Sequence, residues 1–485
     1  MKQPLIFSLG LFFLSVTGSV AAQNTPIVPD TVGSTLSLQQ AVNIAIKNNL
    51  AVNQADLQMQ GSRVSLNQAW DNMLPTVNGS ATQNIGFGRT LNTYDYTYVN
   101  QVNSGSYGLN GNLNLFSGLQ VQNSIRQNKY AYAASKLDLQ QQKDNITLSV
   151  ILAYLQVLSN RDLLAIAIEQ ARIDSIQVDR LDILNREGAL LLLSNLTDLK
   201  GQYAGDEANI AITINNLESA KINLFQLLNV PYKRDVELEQ GALTMQMPDN
   251  TADPDNIYQS SLHLIPSIRS ADLRVHAYEK ALLVAKGQYY PTLSFYGGIT
   301  TNYYSLAYNQ IPTTISSGLA TSYYFTQGGQ QVSILATKQN YDNEKISFGD
   351  QFRDNKATSI GFQLNIPILN YLHVRNNVKQ ARINLRNAQL NENATRLGLQ
   401  QNVEQAFQNM ISAYKQYKFY IDQAAAYAES FRTTQIRFNE GVITSDVYIQ
   451  AKNRTDMANT SLSAAKYTYI FRTKVLDYYQ GKLNW

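Results

Sequence analysis

Hydrophobic and polar positions along this chain follow two periods, and the two alternate in blocks. Four short stretches have period two. In 107–115, "YGLNGNLNL", Tyr107, Leu109, Leu113 and Leu115 share one side, and Asn110, Asn112 and Asn114 share the other. In 359–366, Ile360, Phe362, Leu364 and Ile366 oppose Ser359, Gln363 and Asn365, and in 292–299 Leu293, Phe295 and Ile299 oppose Thr292 and Ser294. A weaker alternation runs over 76–88, "TVNGSATQNIGFG". Period two predicts strands with one apolar face, and segments of about ten such residues are what a transmembrane barrel needs. The same alternation also fits a soluble sandwich with its apolar faces turned inward.

Two long blocks have helical period. Residues 119–187 and 372–440 are each 69 residues long, without proline and with almost no glycine. Apolar residues recur there at three- and four-residue steps, as in Leu148, Ile151, Leu155 and Leu158. That spacing predicts a packing stripe on very long helices, each about 100 Å at 1.5 Å per residue. Proline placement agrees: none lies between Pro75 and Pro231, and none follows Pro367.

Each long block stops at a Glu-Gly pair, Glu187-Gly188 and Glu440-Gly441, 253 positions apart. Glycine after a helix end accepts the left-handed conformation at little cost. Shorter helices are predicted to return over 194–229 and 445–480, capped by Ser194 and by Thr444 or Ser445. Each Glu-Gly pair therefore marks the tip of a helical hairpin.

The chain is a duplication. "VQNSIRQ" at 121–127 matches "VRNNVKQ" at 374–380, again 253 apart; "LNLF" at 113–116 matches "LNIP" at 364–367; "LPT" at 74–76 matches "YPT" at 290–292. The expected organisation is a signal peptide over 1–22, a first repeat over 36–231 (strands about 75–118, hairpin 119–229), a connecting segment over 232–254, and a second repeat over 255–485 (strands about 291–366, hairpin 372–480). The extra stretch 304–356, rich in Gly, Ser and Gln, reads as an extracellular loop. The final "QGKLNW", ending at Trp485, reads as a plain tail.

Composition narrows the class. The start carries Lys2, an apolar run from Leu5 to Val16 and the small-residue pattern Val20-Ala21-Ala22, which is the layout of a cleaved export signal. No later segment reads as a spanning helix. Only 15% of residues are charged, against roughly 25% in ordinary soluble proteins, a surface suited to barrels and water-filled channels. A net charge of +3 without a basic block argues against a nucleic-acid partner. The absence of cysteine removes disulfides and thiolate chemistry. His263, His276 and His373 are scattered without ligand spacing, and "GFGR" (86–89) and "TQGGQQ" (326–331) lack the context of phosphate loops. Neither an enzyme nor a cofactor site is expected.

Four strands cannot close a barrel, and lipid does not tolerate open sheet edges, so several chains must pool their strands. At this point the chain resembles the TolC-like outer-membrane efflux proteins. The resemblance covers about Leu36 to Tyr479. It rests on the duplicated strand–strand–long helix–tip–return helix plan and on the second tip, Gly441-Val442-Ile443-Thr444-Ser445-Asp446-Val447-Tyr448. The family pattern there is Gly, two residues, Ser or Thr, then an acid followed by Val-Leu; here the acid, Asp446, is offset by one residue and Tyr448 replaces Leu. The first copy is poorer, with Asp198 as its acid. The resemblance implies a mainly α fold with a membrane β-barrel, a homotrimer with 12 pooled strands in outer-membrane lipid, and a helical tunnel across the periplasm. It further implies an exit channel of a tripartite efflux or type I secretion system, working with a periplasmic adaptor (membrane fusion) protein and an inner-membrane pump. Asp446 is the candidate pore-constriction acid. The alternative is a structural coiled-coil surface protein of the cell envelope, which would show sustained heptads and no paired strands at matching points. A porin would need more strands, and an adaptor would need lipoyl-like modules.

Overall fold

The computed structural model describes residues 33–92, 96–187, 193–240, 253–369 and 372–482. The export signal over 1–22, Gly188 and Trp485 lie outside the described residues.

The first half runs β1 (Thr35–Leu36), α1 (Leu38–Asn48), α2 (Leu50–Asp71), β2 (Thr76–Leu91), β3 (Tyr98–Ser117), α3 (Gln120–Arg186), α4 (Leu193–Leu228) and β4 (Glu237–Leu238). The second runs α5 (Pro254–Leu264), α6 (Pro266–Gly287), β5 (Thr292–Tyr304), β6 (Tyr308–Gln327), β7 (Gln330–Lys345), α7 (Phe348–Asp354), β8 (Ala357–Asn365), α8 (His373–Asn439) and α9 (Ser445–Tyr479). Removing β6, β7 and α7 leaves two copies of one plan. Even the entry to the long helices repeats: Leu119 and Leu372, each preceding its helix, adopt left-handed φ of 61° and 60°.

The four alternating stretches form one antiparallel sheet, in the order β2-β3-β5-β8. Its register places Leu109 beside Ile299, Leu113 beside Phe295, Phe295 beside Phe362, and Leu293 beside Leu364. All the apolar members therefore lie on one face, and it is bare: Val77, Leu109, Ile360 and Phe362 are between 58% and 75% exposed. Asn78 beside Asn110 and Asn114 beside Ser294 line the opposite face. Among the described residues β2 and β8 have no further partner and are free edges.

α3 and α8 are each 67 residues long, and α4 and α9 return along them as antiparallel partners. On the sheet side of these pairs α2 and α6 take over, so that α2 follows α4 along α3. The join is made by reciprocal amides: Asn49 donates to the Leu227 carbonyl at 3.3 Å, and Asn229 donates to the Asn48 carbonyl at 3.1 Å. Helix-end carbonyls that would otherwise lack partners are thereby satisfied. At the sheet junction Gly118 (φ 61°) packs so tightly on α6 that a Cβ there would sit 2.2 Å from the Gly287 carbonyl oxygen.

The main core forms around this join. Val150, Ile151, Leu155 and Leu158 of α3 pack with Leu36, Ala41, Val42, Leu224, Phe225 and Leu238, and Tyr467 and Ile470 of α9 close the cluster. This corrects the expectation that no mature segment is apolar enough to span a bilayer. α3 contains an 18-residue window of mean hydropathy 1.4, and its apolar richness arises because α3 meets neighbours on several sides there.

The stretch 304–356 is not a loop. It holds the long β6–β7 hairpin and α7. Gly328 and Gly329, with φ of 62° and 83°, supply the two left-handed residues of a tight hairpin turn. Paired polar residues such as Thr313-Thr314, Ser316-Ser317 and Gln330-Gln331 conceal the strands in the sequence.

Candidate functional site: the hairpin tips and their joint

The second tip is built by backbone geometry. α8 ends at Glu440, and Gly441 adopts φ 72°. The Val442 amide donates to the Arg437 carbonyl at 2.9 Å and the Gly441 amide to the Phe438 carbonyl at 3.0 Å. This double bond pair is the Schellman closure of a helix end. Thr444 then stands before α9 in extended conformation.

The cap of α9 differs from expectation. The Thr444 hydroxyl makes no bond to the helix amides but donates to Asp446 Oδ1. The Ser445 amide donates instead to Asn195 Oδ1 at 3.1 Å, and the Ser445 hydroxyl donates to Asp198 Oδ2 at 2.8 Å. Both acceptors lie on α4, in the other hairpin. Ser445 is thus an inter-hairpin contact rather than a local cap, and Ser194 sits inside α4 rather than ahead of it. Asp198, the acid of the first copy, is engaged in this contact. Asp446 is exposed, and the Thr444 hydroxyl holds its carboxyl below the usual range. Tyr448 is fully buried, its ring stacked 4.7 Å from Phe438 and packed with Leu181, Leu196 and Leu199. It fills the position that Leu occupies in the family pattern. Glu187 ends α3 at the first tip.

Further contacts join the hairpins. Arg180 near the end of α3 donates to Asn439 at the end of α8, to its Oδ1 at 2.6 Å and to its carbonyl. About two turns beyond the α9 start, Lys452 is buried with its side chain 1% exposed. Its ammonium lies 2.7 Å from Asp206 of α4, 2.9 Å from Asp456 of α9 and 3.1 Å from Asp174 of α3. One cation therefore serves three carboxylates from both hairpins. Burial pushes Asp174 up to about 7, against the pull of Lys452, and raises Asp456 as well. For Lys452 burial acts downward, but the surrounding carboxylates outweigh it and raise its pKa.

Sequence reasoning missed this joint, although a signal was present. Ala167, Ala171, Asp174 and Leu181 occupy one stripe of α3, and Ser445, Tyr448, Lys452 and Thr455 one stripe of α9. A charge on each of two packing stripes, opposite in sign, is a pairing signal. The three histidines stand apart; His276 lies 3.0 Å from Glu279 and beside Tyr130.

The family model described as outer membrane efflux protein matches residues 41–230 and 257–473. No curated protein matches the chain in sequence. Among solved structures, the fold is similar to the CmeC outer membrane channel of Campylobacter jejuni (16% identity, 92% of this chain and 86% of that one, TM-score 0.72). It is also similar to the outer membrane protein VceC of Vibrio cholerae (13%, 92% and 97%, 0.70) and to the open state of the MtrE outer membrane channel of Neisseria gonorrhoeae (16%, 92% and 89%, 0.69). With the duplicated hairpins and the apolar-faced sheet in place, the chain belongs to the outer membrane efflux protein family, and it is an outer-membrane channel whose helices extend into the periplasm.

Proposed function

We propose that three copies of this chain form the passive exit duct of a tripartite efflux or type I secretion system, gated at the hairpin tips. The observation that carries this reading is the four-stranded sheet, apolar on one bare face, with both edges free. Three such sheets joined β8 to β2 close a 12-stranded barrel with its apolar face in lipid and its Asn, Ser and Thr face on the lumen. The helices support the same assembly. Ile383, Leu390 and Leu397 of α8 recur every seven residues and are between 50% and 56% exposed. That is a coiled-coil seam without its partner, and a second copy supplies one. The paired strands weigh against a coiled-coil surface protein.

In this reading the three tips converge at the periplasmic end, where a periplasmic adaptor and an inner-membrane pump deliver cargo. Glu440-Gly441 turns the second hairpin, and Asp446 contributes an exposed acid at the entrance. Three copies of Asp446 make a carboxylate ring that attracts cations. The test is mass measurement in mild detergent together with planar-bilayer recording. A trimer with discrete conductance is expected; a monomer that conducts by itself refutes the assembly.

A further inference from the structure

α7 interrupts the second repeat, and among the described residues the first repeat has no counterpart. It sits at one defined place. β8 pairs with β5 only up to Thr300, opposite Ala357. Beyond that point the β5 edge would be open, and α7 closes it. Gln351, 2% exposed, accepts from the Tyr304 amide at 2.9 Å and donates to the Tyr304 carbonyl at 3.1 Å. The Thr301 hydroxyl donates to the Phe352 carbonyl at 3.0 Å, and the Asn355 side-chain Nδ2 donates to the Asn302 carbonyl at 2.8 Å. One glutamine thus replaces a missing strand partner. Satisfying both edge groups in this way is costly to omit only where water is scarce.

The same helix lies toward the apolar face of the sheet. Phe348 meets Tyr107 and Tyr303 with ring centroids 6.0 Å and 5.1 Å apart, and Phe352 meets Tyr107 at 5.6 Å. Tyr107 and Tyr303 share their face with Leu109, Phe295 and Ile299 by strand parity. Yet Phe348 and Phe352 stay 48% and 42% exposed. Their height is also set. From Leu293 to Tyr303 the strand climbs about 33 Å, or about 25 Å along a barrel axis at a tilt of about 40°. That matches the apolar band of an outer-membrane barrel, so α7 lies at its outer rim. Asp350, Arg353 and Asp354, joined by ion pairs of 2.9 Å and 2.7 Å, form its polar side.

We propose that α7 is a membrane-interface helix that seats Phe348 and Phe352 among the outer-leaflet acyl chains, presents Asp350, Arg353 and Asp354 to the lipid headgroups, and seals the barrel edge through Gln351. This rests on the reading that the apolar sheet face meets lipid. The assay is fluorescence of single tryptophans in the full-length protein, with Trp70→Phe and Trp485→Phe as background. Phe348→Trp probes the helix, Ile360→Trp, at the level of Gly297, probes the middle of the sheet face, and Phe352→Trp serves if the first variant does not assemble. Each is reconstituted in phosphatidylcholine vesicles brominated either near the headgroup or near the acyl-chain end. The helix probe is expected to be quenched most by shallow bromine, and the sheet probe most by deep bromine. If the sheet probe is quenched and the helix probe answers only to aqueous acrylamide, α7 lies in water and the inference fails alone. If the helix probe answers to neither quencher, a neighbouring copy covers α7, and the inference also fails. If the sheet probe itself escapes bromine, the orientation of the barrel is wrong.

Discussion

Lys452→Met tests the inter-hairpin joint most directly. Met retains most of the side-chain volume and removes only the ammonium. Asp174, Asp206 and Asp456, with side chains 0%, 11% and 19% exposed, are then left without their cation. Breaking a buried ion pair by deleting one partner costs about 3–5 kcal/mol. At about 1.4 kcal/mol per tenfold, that raises local opening of the joint by roughly two to three and a half orders of magnitude. The readout is amide hydrogen exchange along α9 around Lys452. The dependence on pH has a definite sign. The groups facing the ammonium are Asp174 on α3, Asp206 on α4 and Asp456 on α9, and the buried Tyr448 hydroxyl lies in the field of the same three carboxylates. Burial holds the Asp174 carboxyl up at about 7 in the folded protein, well above the ordinary aspartate range. A carboxyl raised on folding binds its proton more tightly in the native state. Its stabilising contribution is therefore full below the unfolded value and fades as pH rises through about 7. With Lys452 gone the repulsion among carboxylates grows, so the variant should regain protection on going from pH 8 to pH 5. Exchange within about threefold of the native protein would correspond to under 1 kcal/mol and would refute the view that this cation holds the hairpins together. Loss of protection on acidification would refute the sign argument. Asp174→Asn is the companion: it removes a desolvated acid while two carboxylates still hold Lys452, and it should leave the joint intact with a flatter pH profile.

Three further outcomes follow from the geometry. Gly118→Ala places a Cβ 2.2 Å from the Gly287 carbonyl at φ 61°, so thermal melting in detergent should drop steeply; Gly441→Ala meets open space at φ 72° and should cost only about 1 kcal/mol. Equal losses in the two variants would discredit the close-approach argument. Arg180→Ala releases the end of α8 from α3 and should raise single-channel conductance through the tip; an unchanged conductance would confine Arg180 to stability. Asp446→Asn should abolish divalent block of the channel with little loss of stability. Because Thr444 keeps Asp446 ionised below the usual carboxylate range, block by the native channel should persist into mildly acidic solution. Retained block in Asp446→Asn would remove the acid from the pore.

The periodicities alone determined the four-stranded sheet and the two long helices. Period-two stretches became β2, β3, β5 and β8, and the proline-free runs became α3 and α8 within a residue or two of their expected ends. These features are local: strand alternation, helical stripes, and a glycine after each long helix need only neighbours in sequence. The resemblance supplied trimer, partners and the interest in Asp446, which periodicity could not. Tertiary structure alone decided who caps whom. Ser445 looked like its own helix cap, yet Asn195 and Asp198, some 250 positions earlier, complete it. Lys452 with Asp174 and Asp206, and Gln351 with Tyr304, are likewise pairings across elements. The stretch 304–356 was misjudged because its hairpin is mostly polar, with apolar alternation confined to Val332, Ile334 and Ala336, and α7 is too short for a helical period. A buried charge or an open edge acquires its partner only when packing brings distant helices and strands together, and sequence spacing carries no measure of that distance.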